Sequence, residues 1–204
     1  MQMQIARLFM NAFQAIQLRI YQHISYFLTS IIFKSAQIKH GSFKSYGLPY
    51  VHVSLKGNVC IGENFTLGNS IRNNATGVIG RCKIDVRNNA NLIIGNNVGI
   101  TLTTITCFNQ VRIDDNVKIG FGTHIMDTDF HSIDPAIRST TDDDVKTSPI
   151  HIKRNAFIGA HCFIMKGVTI GENSIVGAGS VVTKSIPDNE IWGGNPAKFI
   201  KRIN

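Results

Sequence analysis

Of the seven histidines in this chain, His131 has the surroundings a general base needs. Asp127 and Asp129 precede it, and Ser132-Ile133-Asp134-Pro135 follows it. Imidazole titrates near neutral pH, so it can take the proton of a hydroxyl as that oxygen attacks an electrophile. A neighbouring carboxylate orients such a ring and stabilises the imidazolium. Asp127, Asp129 or a backbone carbonyl could fill this role, and both aspartates also fit a solvated loop surface. The oxyanion that develops needs a donor, and Asn109, on the segment before the loop, is a candidate amide. His124, seven residues before His131, reads as a corner residue, either structural or facing the molecule that supplies the hydroxyl. His151 and His161 fall at positions that read as structural.

Taken alone, a loop histidine between aspartates is more often a solvated cluster. What lifts His131 above that is the pattern around it. From Ile152 to Val182 an aliphatic residue recurs every six positions, at 152, 158, 164, 170, 176 and 182. Four residues after each stands Ala156, Cys162, Val168, Ser174 or Ser180, and Gly follows the aliphatic at 159, 171 and 177. A helix repeats near 3.6 residues and a strand near 2, so this period belongs to neither. It suits a three-cornered coil of short strands. The aliphatic fills a narrow core, the small residue sits beside it at a corner, and Gly accepts turn dihedrals closed to other residues.

The hexads run back more raggedly through Ile61, Leu67, Ile79, Ile94, Ile100, Ile113, Ile119 and Ile125, with slips near Ile84 and Val86. They stop between Ile125 and Ile152, where a polar, Pro-bounded segment carries His131 and the acidic residues Asp127, Asp129, Asp134, Asp142, Asp143 and Asp144. Long insertions in a repeat domain gather on one face, often the binding face. Residues 4–34 show apolar residues at three- and four-residue steps without Gly or Pro, which predicts one long helix or two with a break near Ser25. The chain thus divides into an N-terminal helical segment (1–35), a transition (36–55), a β-helix (56–186) with a loop at 126–151, and a C-terminal tail (187–204) whose apolar residues could cap the coil.

Composition narrows the classes. The 204 residues are 43% hydrophobic and 17% charged, enough for one domain with an appendage. A net charge of +8 points to an anionic partner or to solubility alone. No Lys/Arg run interleaved with aromatics marks a nucleic-acid groove. Cys60, Cys82, Cys107 and Cys162 form no Cys-x-x-Cys pair, so neither a zinc knuckle nor a redox dithiol is expected, and reduced thiols in a cytoplasmic setting are the economical reading. No apolar run reaches a membrane span, and residues 1–35 lack a secretory signal pattern. The helical segment is cationic and rich in aromatics, and the first acidic residue is Glu63. Such a helix either packs on its own domain or a neighbouring subunit, or makes peripheral contact with an anionic membrane.

Residues 170–187, Ile-Gly-Glu-Asn-Ser-Ile-Val-Gly-Ala-Gly-Ser-Val-Val-Thr-Lys-Ser-Ile-Pro, followed by Gly194-Asn-Pro-Ala-Lys198, resemble the closing signature of the hexapeptide-repeat acyltransferases, in the branch of galactoside, maltose and polysaccharide-biosynthesis O-acetyltransferases. The resemblance covers most of 57–204. It implies a mainly β fold: a left-handed parallel β-helix with an N-terminal α-helical segment and a protruding loop. The handedness, unusual for parallel crossovers, comes from the resemblance alone. It also implies acetyl-CoA as co-substrate without a metal, and a homotrimer with active sites between subunits. Phe130-His131-Ser-Ile-Asp134 resembles the family's His-Pro-Leu-Asp stretch, with Ser132 in place of Pro, and makes His131 the catalytic base.

By the same resemblance Ala160 and Ala178 line the donor's arm, Thr183 and Lys184 lie near its nucleotide, and Lys198 and Lys201 stand where the family often has Arg. Lysine neutralises phosphate without arginine's bidentate fork. The expected activity is O-acetylation of a hydroxyl on a sugar, glycan precursor or surface polysaccharide; N-acetylation of an amino sugar, nucleotide-linked or not, is the alternative. A γ-type carbonic anhydrase would need His-x-x-x-x-His, which is absent, and a non-catalytic scaffold is the third class.

Overall fold

A computed structural model describes residues 2–69, 80–140 and 145–203. The Ile79 hexad and the acidic residues Asp142, Asp143 and Asp144 lie outside the described residues. With no Gly or Pro to break it, the N-terminal segment forms one helix, α1 (Gln2–Ser35). It ends where Gln37 takes a left-handed backbone (φ 54°) and the Ile38 N–H returns to the Phe33 carbonyl at 2.9 Å.

The coil follows. Its first turn is β1 (Lys39–His40), β2 (Phe43–Tyr46) and β3 (Tyr50–Val53); its second is β4 (Asn58–Ile61), β5 (Phe65–Gly68) and β6 (Lys83–Val86). The third is β7 (Asn91–Ile94), β8 (Gly99–Thr101) and β9 (Thr104–Cys107). The fourth is β10 (Gln110–Ile113), β11 (Lys118–Ile119) and β12 (His124–Met126), after which the loop carries the short helix α2 (Pro135–Arg138). The fifth is β13 (Ile150–Ile152), β14 (Phe157–Ile158) and β15 (Phe163–Ile164), and the sixth is β16 (Thr169–Ile170), β17 (Ile175–Val176) and β18 (Val181–Val182).

Corresponding strands stack into three parallel sheets, which we call A (begun by β1), B (by β2) and C (by β3). Strand pairing therefore starts at Lys39, and the stretch read as a transition supplies a whole first turn. Its inward positions are not aliphatic hexads because Phe33 of α1, with Ile38 and Phe43, closes this end of the core. At the other end the tail packs Trp192 and Ala197 against the core. It forms β19 (Glu190–Gly193) and β20 (Lys198–Arg202), the latter antiparallel, which extend sheet B.

The hexad aliphatics are the core. Ile61, Ile94, Ile113, Ile152 and Ile170 stack in register on sheet A; Leu67, Ile100, Ile119, Ile158 and Val176 on B; and Ile84, Ile105, Ile125, Ile164 and Val182 on C. All are buried, each stabilising the fold by about 1.5–3 kcal/mol. Ala156, Cys162, Val168, Ser174 and Ser180 are buried at the corners, as their size requires.

The corner between sheets A and B is held by a ladder. The side-chain amide of Asn64 donates to Asn97, Asn97 to Asn116, Asn116 to Asn155, Asn155 to Asn173 and Asn173 to Asn189, at 2.8–3.1 Å. All six have positive φ between 57° and 62°, a conformation asparagine tolerates better than other residues with a β-carbon.

Candidate functional site

The loop leaves the corner between sheets C and A, directly after β12. Its base is clipped shut: Thr128 bridges Thr147, the Asp129 N–H reaches the Lys146 carbonyl at 3.1 Å, and the Ser148 N–H reaches the Asp127 carbonyl at 3.0 Å. Phe130, just before His131, has a left-handed backbone (φ 64°), rare for a bulky residue, and its N–H donates to the Thr128 hydroxyl at 3.1 Å. Its ring packs edge-on against Phe108 at 5.9 Å, and Phe108 carries the Arg87 guanidinium at 5.3 Å from its ring centre. Ser132 is buried and its hydroxyl accepts the Asp134 N–H at 3.2 Å. Asp134 in turn caps α2, accepting the Ala136 N–H at 2.8 Å, with Pro135 at the first helical position. His131 thus stands exposed between a fixed left-handed residue and a capped helical turn.

The two aspartates differ. Asp127 is fully buried. One carboxylate oxygen accepts the Phe108 N–H at 2.7 Å and the other accepts those of Asn109 and Gln110 at 2.8 Å each. It is not loop surface: it clamps the corner of the preceding turn. Asp129 forms an ion pair at 3.0 Å with Lys166, at the same corner one turn further on. Sequence reasoning passed over Lys166. The signal was available, because Lys166 and Lys184 are one eighteen-residue turn apart and so share a corner with the loop base. Asn109 sits where expected, its backbone held by Asp127 and its side-chain amide donating to Thr147 at 3.3 Å.

His124 is not at a corner. It opens β12, faces outward from sheet C, and stacks on Phe163 with ring centres 5.0 Å apart and planes 6° apart. Burial, with the nearby His161 charge, lowers its pKa, which favours the neutral ring.

Ala160 and Ala178 lie at the other edge of sheet C, the corner from sheet B. The Gly179 N–H donates to the Ala160 carbonyl at 2.8 Å, and the His161 N–H to that of Phe121 at 2.8 Å. A β-carbon on Gly159 would come within 2.5 Å of the Ala178 nitrogen, so glycine is what lets these corners nest. Beside exposed Ala178, Gly179 has open space around it. His161 packs edge-on against Phe121 at 4.5 Å on this corner.

Thr183 and Lys184 turn the C-to-A corner after β18, on the loop's side. Lys198 and Lys201 lie on β20 at the end of sheet B, opposite Gly193 and Ile191. The structure therefore gathers His131, Asp127, Asp129, Asn109, Thr183 and Lys184 along one edge of sheet C, puts Ala160 and Ala178 along the other edge, and leaves Lys198 and Lys201 on a different sheet.

Three stacked parallel sheets with hexad corners match the left-handed β-helix of solved hexapeptide-repeat acetyltransferases, and this chain carries that fold. Residues 149–184 match the family described as bacterial transferase hexapeptide (six repeats). Galactoside O-acetyltransferase of Escherichia coli is 38% identical over 117 residues, which cover 56% of each chain. Among solved structures, a hexapeptide-repeat acetyltransferase from Vibrio cholerae in complex with acetyl coenzyme A matches at TM-score 0.52 and 31% identity, covering 55% of this chain and 61% of its own. A maltose O-acetyltransferase from Clostridium difficile matches at TM-score 0.52 and 35% identity, covering 55% and 59%. The chain spans 30% to 56% of the length of the curated relatives it matches.

Proposed function

We propose that this protein transfers an acetyl group from acetyl-CoA to a hydroxyl of a sugar, glycan precursor or surface polysaccharide, with His131 as general base. The observation that carries this reading is the loop base, where the clip at Thr128–Thr147 and the left-handed Phe130 fix His131 at the edge of sheet C. A hydroxyl is a weak nucleophile at neutral pH. As its oxygen attacks the thioester carbonyl, the imidazole takes the proton. The second side-chain N–H of Asn109 and nearby backbone amides are the donors available to the oxyanion. Collapse breaks the carbon–sulfur bond, and the imidazolium returns the proton to the departing thiolate. Asp129 is the aspartate left to orient the ring.

Ala160 and Ala178 would line the pantetheine arm along their bare corner, whose backbone groups can pair with its amides. Thr183 and Lys184 would meet the nucleotide, with Lys198 and Lys201 as secondary phosphate contacts. His124, neutral and beside the loop, would face the acceptor. The two halves of the site flank opposite edges of sheet C, which favours a homotrimer in which one chain's alanine corner faces its neighbour's loop. An acetyl-CoA donor puts the reaction in the cytoplasm.

The test is acetyl-CoA consumption against a panel of sugars, nucleotide sugars and amino sugars. His131→Ala should lower kcat by about 10²–10⁴-fold with little change in the KM for acetyl-CoA. Unchanged turnover would remove His131 from the chemistry.

A further inference from the structure

Helix α1 has two faces that serve different purposes. Ser25, Thr29 and Phe33 are buried, and the Ser25 hydroxyl accepts the Gly47 N–H at 3.1 Å. This face docks the helix on β2, with Tyr26 and Phe43 stacked at 4.8 Å. On the other side run Phe9, Phe13, Ile16, Ile20, Ile24 and Phe27, at steps of four, three, four, four and three residues. These steps follow the helical turn and make one unbroken stripe about 27 Å long. Each of the six side chains is more than half exposed. At 100° per residue the stripe lies opposite the buried face, so the contacts that attach α1 to the coil leave it uncovered.

The charge around this stripe is one-sided. There is no Asp or Glu before Glu63, whereas Arg7, Arg19, Lys34, Lys39, Lys44 and Lys56 all precede it, so six of the chain's net eight positive charges fall in this first part. Copies of α1 packed stripe to stripe would bring Arg19 and Lys34 of each copy toward the contact with no acidic partner on the helix. An anionic headgroup layer supplies that countercharge, and phenylalanine and isoleucine enter the acyl boundary beneath it. No helix among the described residues is long and apolar enough to cross a membrane, which is consistent with a helix lying in the interface plane.

We propose that α1 binds the surface of an anionic lipid bilayer through the Phe9–Phe27 stripe, bordered by Arg19 and Lys34. This does not depend on the acetyl-transfer reading.

The experiment is co-sedimentation of the full chain with vesicles of seven parts phosphatidylcholine to three of phosphatidylglycerol, and with phosphatidylcholine alone. The chain should partition onto the anionic vesicles at least tenfold more strongly, and the preference should weaken in high salt. The triple variant Phe13→Ser, Ile16→Ser, Ile20→Ser should bind about tenfold or more weakly, with an unchanged melting temperature because these side chains are exposed. The variant Arg19→Gln, Lys34→Gln keeps the stripe and should lose most of the anionic preference, about fivefold per charge. Absence of wild-type binding to anionic vesicles, or equal binding by wild type and both variants, overturns the proposal. So does loss of oligomer mass in the triple variant when the wild type does not bind vesicles, which would make the stripe a contact between copies.

Discussion

Asp127 accepts the backbone N–H of Asn109 at 2.8 Å across eighteen residues of sequence, binding the loop base to the preceding turn. The same carboxylate takes the amides on either side of Asn109. Asp127→Ala leaves three partly buried donors without an acceptor and should cost about 3 kcal/mol or more in urea unfolding. Asp127→Asn, isosteric but with a donor facing these amides, should recover little of it. If Asp127→Ala unfolds with the wild-type midpoint, the clamp is not what holds this corner.

The ladder separates two effects at one position. Asn155 has φ 60° and both donates to and accepts from its neighbours. Asn155→Ala loses the ladder bonds and strains the left-handed backbone, for about 1–3 kcal/mol. Asn155→Gly loses the bonds but relaxes the backbone, and its thermal midpoint should lie between wild type and Asn155→Ala. The reverse order would show that backbone conformation is not what asparagine supplies here.

Asp85 carries a pH signature. Burial pushes its carboxyl up, but the His52 hydrogen bond and the Arg87 and Lys83 charges outweigh burial and hold it below the usual aspartate range. A depressed folded pKa gives stability that is complete above the unfolded value near 3.9 and is lost as pH falls through the folded value. The stability gap between wild type and Asp85→Asn should therefore be level above about pH 5 and narrow below about pH 4. A gap that does not change with pH would mean the charge on Asp85 contributes nothing.

The thiols make a chemical census. Burial pushes Cys82 and Cys107 up to about 12 and raises Cys162, while Cys60 is only partly covered. In an Ellman titration near pH 8 Cys60 should react in the native protein and the other three thiols only after denaturation. Rapid labelling of more than one thiol in the native state would contradict this packing.

How far sequence reading reached depended on where each signal sits. Ile152 to Val182 declared their strands because no insertion interrupts them and a narrow core admits few side chains. The first turn was hidden because its core neighbours are Phe33, Ile38 and Phe43, set by a helix end and not by the repeat. The asparagine ladder lies in the polar positions, which a search for aliphatic periodicity discards. His131 could be singled out because it stands at the break in the repeat, and Asn109 because it lies on the coil preceding the loop. Asp127 stands close to His131 in sequence, and only the structure shows that its carboxylate accepts three N–H groups of the turn before. His124 was assigned to a corner although it lies next to the hexad residue Ile125, with which it forms β12.

The ladder asparagines are separated in sequence by 33, 19, 39, 18 and 16 residues, yet their amide spacing hardly varies. Chain length between rungs is thus decoupled from the geometry of the rungs. A segment spliced into the C-to-A corner can grow, shrink or change composition while every inward isoleucine stays in register. In such an architecture the part that would choose the acceptor can diverge rapidly, while the part that would hold the donor stays fixed. Chains with the same coil and different loops become natural starting points for swapping specificity by grafting residues 127–149 alone.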